Sequence, residues 1–286
     1  MGQVDDLWRY DGRRVVVTGC ASGIGADVAR LLAELGAEVV GLDRRSPAPD
    51  ERSREGLQTL QVKEFHEVDL ADPASVDRAV EAIGGRVDSL FNVAGVSSGL
   101  GNPLLVATIN FLGMRHLTEA LVPAMPSGSS IACVSSLAAA GYLDHRRSIA
   151  GLLSTRTFDE GVDWCQRHPE ALADGGYRLS KEAIIFYCMR KAVPLGARGV
   201  RINCTAPGVT ETPILDQLRT AYGQDYLDAI PKPLGRVSEP AEQAAVLVFL
   251  NSRAASYVTG QVLWVDGGTV AGRIAATLEG SEQWPL

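Results

Sequence analysis

The sequence is poor in residues that hold metals or cross-link a chain. Its five cysteines (Cys20, Cys133, Cys165, Cys188, Cys204) are scattered through 286 residues without a CxxC pair. An odd count in so long a chain is no disulfide framework, so reduced, buried thiols of a cytoplasmic protein are expected. The four histidines (His66, His116, His145, His168) show no HExxH or other ligand spacing, and no metal site is expected. Long apolar runs are missing as well. The longest obvious one, Ala244 to Leu250, falls far short of the roughly 18 residues of a membrane span. The opening Met1-Gly2-Gln3-Val4-Asp5-Asp6 has acids where a secretory leader has its apolar core, and Asp6 spoils the myristoylation pattern. Basic residues are outnumbered, 27 against 34 acidic ones, for a net charge of −7, which argues against a nucleic acid or a membrane surface as partner.

What is present is ordinary globular composition, 46% apolar and 21% charged, enough for a sizeable core. Short β-branched runs alternate with longer helical stretches. Strands are expected at 13–18, 37–42, 63–68, 87–93, 130–135, 199–204 and 261–265. Helices are expected at 23–35, from an Asp72 cap and Pro73 to about 83, at 104–124, at 177–195 and at about 240–250. Residues 44–60 are polar and contain proline, and no domain linker or internal repeat appears. Alternating strands and helices imply right-handed βαβ units and one doubly wound parallel sheet, hence a single α/β domain over 1–286 with a tail from about 269.

Three constellations carry chemistry. The first βα turn reads Thr18-Gly19-Cys20-Ala21-Ser22-Gly23-Ile24-Gly25. Glycines there let backbone approach a pyrophosphate, and the helix start offers N–H groups and a positive dipole. A tight packing turn would look the same, but the placement between strand and helix favours phosphate. Asp43, ending the second strand, suits the hydroxyls of an adenosine ribose and repels a 2′-phosphate, with Arg44 and Arg45 as partial offsets. Tyr177 and Lys181 stand at i and i+4 on one helical face, where an ammonium favours the phenolate of a tyrosine whose ordinary pKa is about 10. Ser135 and Ser136, at a strand end, offer hydroxyls to the same site.

Taken in order with Asp69-Leu70, Asn92-Val93-Ala94-Gly95, Asn110 and Pro207-Gly208, these motifs span roughly residues 12–268 and resemble the short-chain dehydrogenase/reductase family. The resemblance implies a Rossmann domain with a seven-stranded parallel sheet and hydride transfer between a nicotinamide cofactor and a hydroxyl or carbonyl carbon. It implies Tyr177 as general acid/base, Lys181 on the nicotinamide ribose and lowering the tyrosine pKa, and Ser136 on the substrate oxygen. Asn110 would hold a water linking Lys181 to solvent. The cofactor would lie along Gly19, Ser22, Gly23, Ile24, Gly25, Asp43, Asp69, Leu70, Asn92, Ala94 and Gly95, and along Pro207, Gly208, Val209, Thr210 and Thr212. Val93 stands where the family usually has a second asparagine.

The segment at about 142–174 is an insertion of the kind seen in the bacterial 3α-hydroxysteroid dehydrogenase/carbonyl reductase branch. It is expected to be ordered, to wall the substrate pocket and to touch the surface by which subunits pair as homodimers or homotetramers. Pocket walls are expected from 96–100, 137–143 and a loop at 209–233, apolar and without a basic cluster. The expectation is an NAD-dependent dehydrogenase (NADP less favoured) of a hydrophobic secondary alcohol, alicyclic, steroid or terpene-like. Aryl or allylic alcohols, a 3-oxoacyl reductase and a non-enzymatic dinucleotide sensor are the alternatives.

Overall fold

Strands that are apolar at every position must be covered on both faces, and the first of them shows how. In β1 (Arg14–Thr18), Val15 and Val17 face one layer of helices and Val16 the other, all fully buried. The structure, a computed structural model, describes residues 5–45 and 62–278. The polar 44–60 stretch therefore lies, after Arg45, outside the described residues, as does the tail beyond 278.

Helix α1 (Gly23–Glu34) leads to β2 (Glu38–Asp43), and β3 (Glu64–Glu67) precedes α2 (Pro73–Ile83). Asp72 caps α2 by accepting from the Ala74 N–H at 2.9 Å, with Pro73 at the first helical position. Then come β4 (Ser89–Asn92), α3 (Pro103–Ala107), a π-helical segment Thr108–Gly113 and α4 (Met114–Leu121). The 104–124 stretch is helical as expected, with a π-turn in its middle, around Asn110. After β5 (Ser130–Val134) the insertion folds into α5 (Arg146–Leu153) and α6 (Phe158–Arg167). Helix α7 (Tyr177–Gly196), β6 (Arg201–Pro207), α8 (Pro213–Tyr222) and α9 (Gln224–Asp228) follow. The chain closes with α10 (Pro240–Asn251), β7 (Val262–Val265) and α11 (Thr269–Leu278).

Two expectations about loops need correcting. The 209–233 loop holds α8 and α9, and its signal was in the sequence: Thr212 caps α8, accepting from the Leu215 N–H, and Pro213 occupies the first turn. The tail from 269 begins as α11, started by the Asp266 carboxylate, which accepts from the N–H groups of Gly268 and Val270 at 2.9 and 2.8 Å.

All seven strands are parallel, in the order β3-β2-β1-β4-β5-β6-β7. Helices α1 and α10 cover one face through Val28, Leu32, Ala244 and Leu247. Helices α2, α4 and α7 cover the other, through residues such as Val76, Leu117 and Ile184. The order reverses between β1 and β4, the switch point where open α/β sheets bind ligands beyond their strand ends. The insertion is ordered and packed: Ile149 and Leu152 are fully buried, α5 lies on α7, and α6 lies on α3 and the π-segment. All five cysteines are free and buried. No described helix is long and apolar enough to cross a membrane, and no group of metal-binding side chains occurs among the described residues.

Candidate active site

A cavity of about 620 Å³ opens over the carboxyl ends of the strands. Its floor is built by the β1–α1 turn. Gly19 has φ +72°, and a Cβ on Gly25 would lie 2.1 Å from the Gly19 carbonyl oxygen, so the turn closes this tightly only with glycine at both places. Ser22 caps α1 without a side-chain hydrogen bond to the first turn, which leaves that helix start to an incoming anion. At the end of β2, Asp43 accepts from the N–H groups of Ala21 (3.0 Å) and Arg45 (3.3 Å), which fixes its carboxylate at the rim. Arg44 also lines the cavity. Asp69 accepts from the Ala71 N–H at 2.8 Å and stands there with Leu70. Ala94 and Gly95 continue the wall from β4, and Pro207, Gly208, Val209, Thr210 and Thr212 supply it from β6. Together with Gly23 and Ile24, these are the expected cofactor positions, and the cavity gathers all of them but one.

The exception is Asn92. Its Nδ2 donates to Thr118 Oγ1 at 2.9 Å and lies 3.5 Å from Cys133 Sγ, inside the helix-covered layer, so its side chain does not reach the cavity. Asn110 is likewise engaged elsewhere. Its Oδ1 accepts from the Val96 N–H (2.8 Å), and its Nδ2 donates to the Val96 carbonyl (2.9 Å) and Ser180 Oγ (3.2 Å). That amide ties the β4 end to α7.

Tyr177, the first residue of α7, and Lys181, one turn on, enter the cavity side by side, with Lys181 Nζ 5.6 Å from the tyrosine ring centre. The two serines at the β5 end divide their roles. Ser135 Oγ donates to the Lys181 carbonyl at 2.7 Å and serves the helix, whereas Ser136 hydrogen-bonds the Tyr177 phenol. Burial brings the Lys181 ammonium down to about 8, opposed by the nearby Cys133 thiol, while Nζ donates to the Val134 carbonyl at 2.9 Å. The expectation that Lys181 lowers the tyrosine pKa is not met by the chain alone. Burial pushes the Tyr177 phenol up, the Ser136 hydrogen bond opposes the rise, and Tyr226 adds to it.

Sequence reasoning placed the 209–233 segment and the insertion in the wall, but missed Arg178 and Arg273. Leu218 and Tyr226 descend from α8 and α9, Arg273 reaches in from α11, and His145 and Arg178 line the insertion side. The wall is thus not free of basic residues. Arg178 stood in plain view between Tyr177 and Lys181. Arg273 lay in a segment read only as tail, whereas His145 belongs to the insertion expected to wall the pocket. Beneath His145 and Arg178 lies Glu182, fully buried on α7; His145 Nδ1 is 2.7 Å and Arg178 Nη1 3.3 Å from its oxygens. Burial raises the Glu182 pKa, and His145 and Arg178 hold it back.

Two family models match in succession, one described as short chain dehydrogenase over residues 13–146 and one as enoyl-(acyl carrier protein) reductase over residues 170–270. A coniferyl-alcohol dehydrogenase from a Pseudomonas species is 36% identical over 90% of this chain and 96% of its own. The 3-alpha-hydroxysteroid dehydrogenase/carbonyl reductase of Comamonas testosteroni is 32% identical over 89% of this chain and 95% of its own. Among solved structures, the 3-alpha-hydroxysteroid dehydrogenase of Pseudomonas sp. B-0831, complexed with NADH, superposes with a TM-score of 0.76 at 32% identity. That match covers 92% of this chain and 98% of the other. With sequence, sheet order and cavity in agreement, the chain belongs to the short-chain dehydrogenase/reductase family and is an oxidoreductase of alcohols and carbonyl compounds.

Proposed function

We propose that the protein is an NAD-dependent dehydrogenase that interconverts a hydrophobic secondary alcohol and its ketone. The observation that carries this reading is the meeting of Ser136, Tyr177 and Lys181 in the cavity whose floor is the Gly19–Gly25 cradle. The cradle fits a dinucleotide: side chains are excluded where backbone meets pyrophosphate, and the helix start of α1 is uncapped by Ser22. When bound there, the nicotinamide supplies a hydride acceptor. Asp43 would take the adenosine ribose hydroxyls, Asp69 and Leu70 the adenine side, and Thr210 and Thr212 the carboxamide and phosphate side. Lys181 would hold the nicotinamide ribose. Ser136 would orient the substrate oxygen, and Tyr177 Oη would accept the hydroxyl proton in oxidation and return it in reduction.

Asp43 favours NAD. A carboxylate about 4 Å from a 2′-phosphate costs about 4 kcal/mol at an effective dielectric near 20. Arg44 on the same rim offsets part of this. The expected outcome is a larger kcat/KM with NAD than with NADP and a smaller gap in Asp43→Ala. Equal use of both cofactors by the wild type would contradict it.

Ile214, Leu218, Leu227 and Ile230 suit an uncharged alicyclic or aromatic substrate, in keeping with the two alcohol-oxidising relatives. A panel of steroid, terpene and aryl alcohols assayed with NAD tests the class. No NADH from any of them would sink the proposal. A cytoplasmic homo-oligomer belongs to the same reading.

A further inference from the structure

Most of the substrate wall is apolar, but one ring nitrogen in it is polar and held still. His145 stands just before α5 and is among the residues that line the cavity. Its Nδ1 is 2.7 Å from Glu182 Oε1, a carboxylate with no solvent exposure. The other oxygen of that carboxylate takes the Arg178 Nη1 N–H at 3.3 Å, and Arg178 Nε is paired with Asp174. A carboxylate facing Nδ1 assigns it the donor role, and on a neutral ring that leaves Nε2 as the acceptor. Among the described residues Nε2 has no hydrogen-bond partner. A ligand that shuts water away from this acceptor without donating to it loses free energy, whereas one that donates gains a hydrogen bond.

We infer that His145 Nε2 is the acceptor for a second hydroxyl on the substrate, phenolic or alcoholic, remote from the carbon that reacts. The inference rests on the alcohol dehydrogenase reading and narrows its substrate class to hydroxylated alcohols. The neighbouring charges argue for a neutral donor rather than an anion. Arg178 is already shared between two carboxylates, Asp174 and Glu182, so this corner holds no spare positive charge. Glu182 is the positioning residue, acting only through the ring it orients.

The test is equilibrium binding to the full chain saturated with NAD, by calorimetry, with probes that have no alcohol to oxidise. These are 3- and 4-propylphenol, their methyl ethers, and 4-propylbenzoate. The wild type should bind at least one phenol about three- to tenfold more tightly than its ether, the size of one hydrogen bond. His145→Ala should abolish that preference. Glu182→Gln should also remove it: the carbonyl of the introduced amide must face the Arg178 donor, so its NH2 donates to Nδ1 and moves the ring proton to Nε2, which then donates to phenol and ether oxygens alike. A purely structural role for Glu182 would weaken both probes alike. Equal affinity for phenols and ethers in the wild type, a preference that persists in His145→Ala, or tightest binding of the benzoate would each overturn the inference. Wild-type turnover of cyclohexanol is followed separately; its absence would count against the dehydrogenase reading and leave the phenol-to-ether ratio readable.

Discussion

Tyr177 and Lys181 sit in water-poor surroundings, and their protons follow from that. Because Tyr177 Oη is the proposed proton carrier, Tyr177→Phe should lose about 10²–10⁴-fold in turnover while NADH still binds. Turnover within threefold of wild type would reject the role. Lys181 has its own signature. Burial lowers its pKa to about 8, so keeping it charged at neutral pH destabilises the folded state. The unfolded chain binds that proton more tightly, hence stability lost to the charged lysine is greatest below about pH 8 and vanishes above its ordinary value of about 10.4. Lys181→Met should therefore inactivate the enzyme yet gain stability relative to wild type at pH 7, and lose that relative gain by pH 10. Denaturant titrations at both values check this; a pH-independent difference would contradict it.

The elements were legible to different depths. Strands such as Arg14–Thr18 and Ser130–Val134 were readable because burial on both faces leaves unbroken apolar runs that few other structures need. Asp72-Pro73 announced α2 by local chemistry alone. The π-turn around Asn110 was not readable, since its one-residue widening leaves the apolar pattern of a helix intact. Asn92 was misplaced for a related reason: sequence puts it at a strand end, but only the fold reveals that Thr118 draws its side chain inward. The pairing of His145 with Glu182 joins a loop to a helix far along the chain, and no spacing rule reports such a pair. The insertion gives an element-scale prediction. Leu152 is fully buried where α5 lies on α7, so Leu152→Ala should cost about 2–5 kcal/mol and raise KM more than it changes kcat. Chemical denaturation and steady-state kinetics test both parts, and an unchanged unfolding midpoint would show that α5 is not anchored there.

At the scale of the whole molecule, a ligand that spans the sheet from the β2 end to β6 ties both halves together. NAD at about 100 times its Kd should stabilise the fold by about 2.7 kcal/mol. For a chain of this size that raises Tm by about 4–5 °C, measurable by calorimetry; no shift would mean the cradle is empty of that ligand. The burial of every thiol has a further use. Cys20 lies in the glycine turn, Cys165 in the insertion, Cys133 and Cys204 on β5 and β6, and Cys188 on α7, each with no exposed surface. A thiol reagent can reach them only when the surrounding structure opens, so the labelling rate at each one measures how often its neighbourhood comes apart. Peptide mapping after timed labelling would rank the breathing of cofactor turn, insertion and core without adding a single probe to the chain.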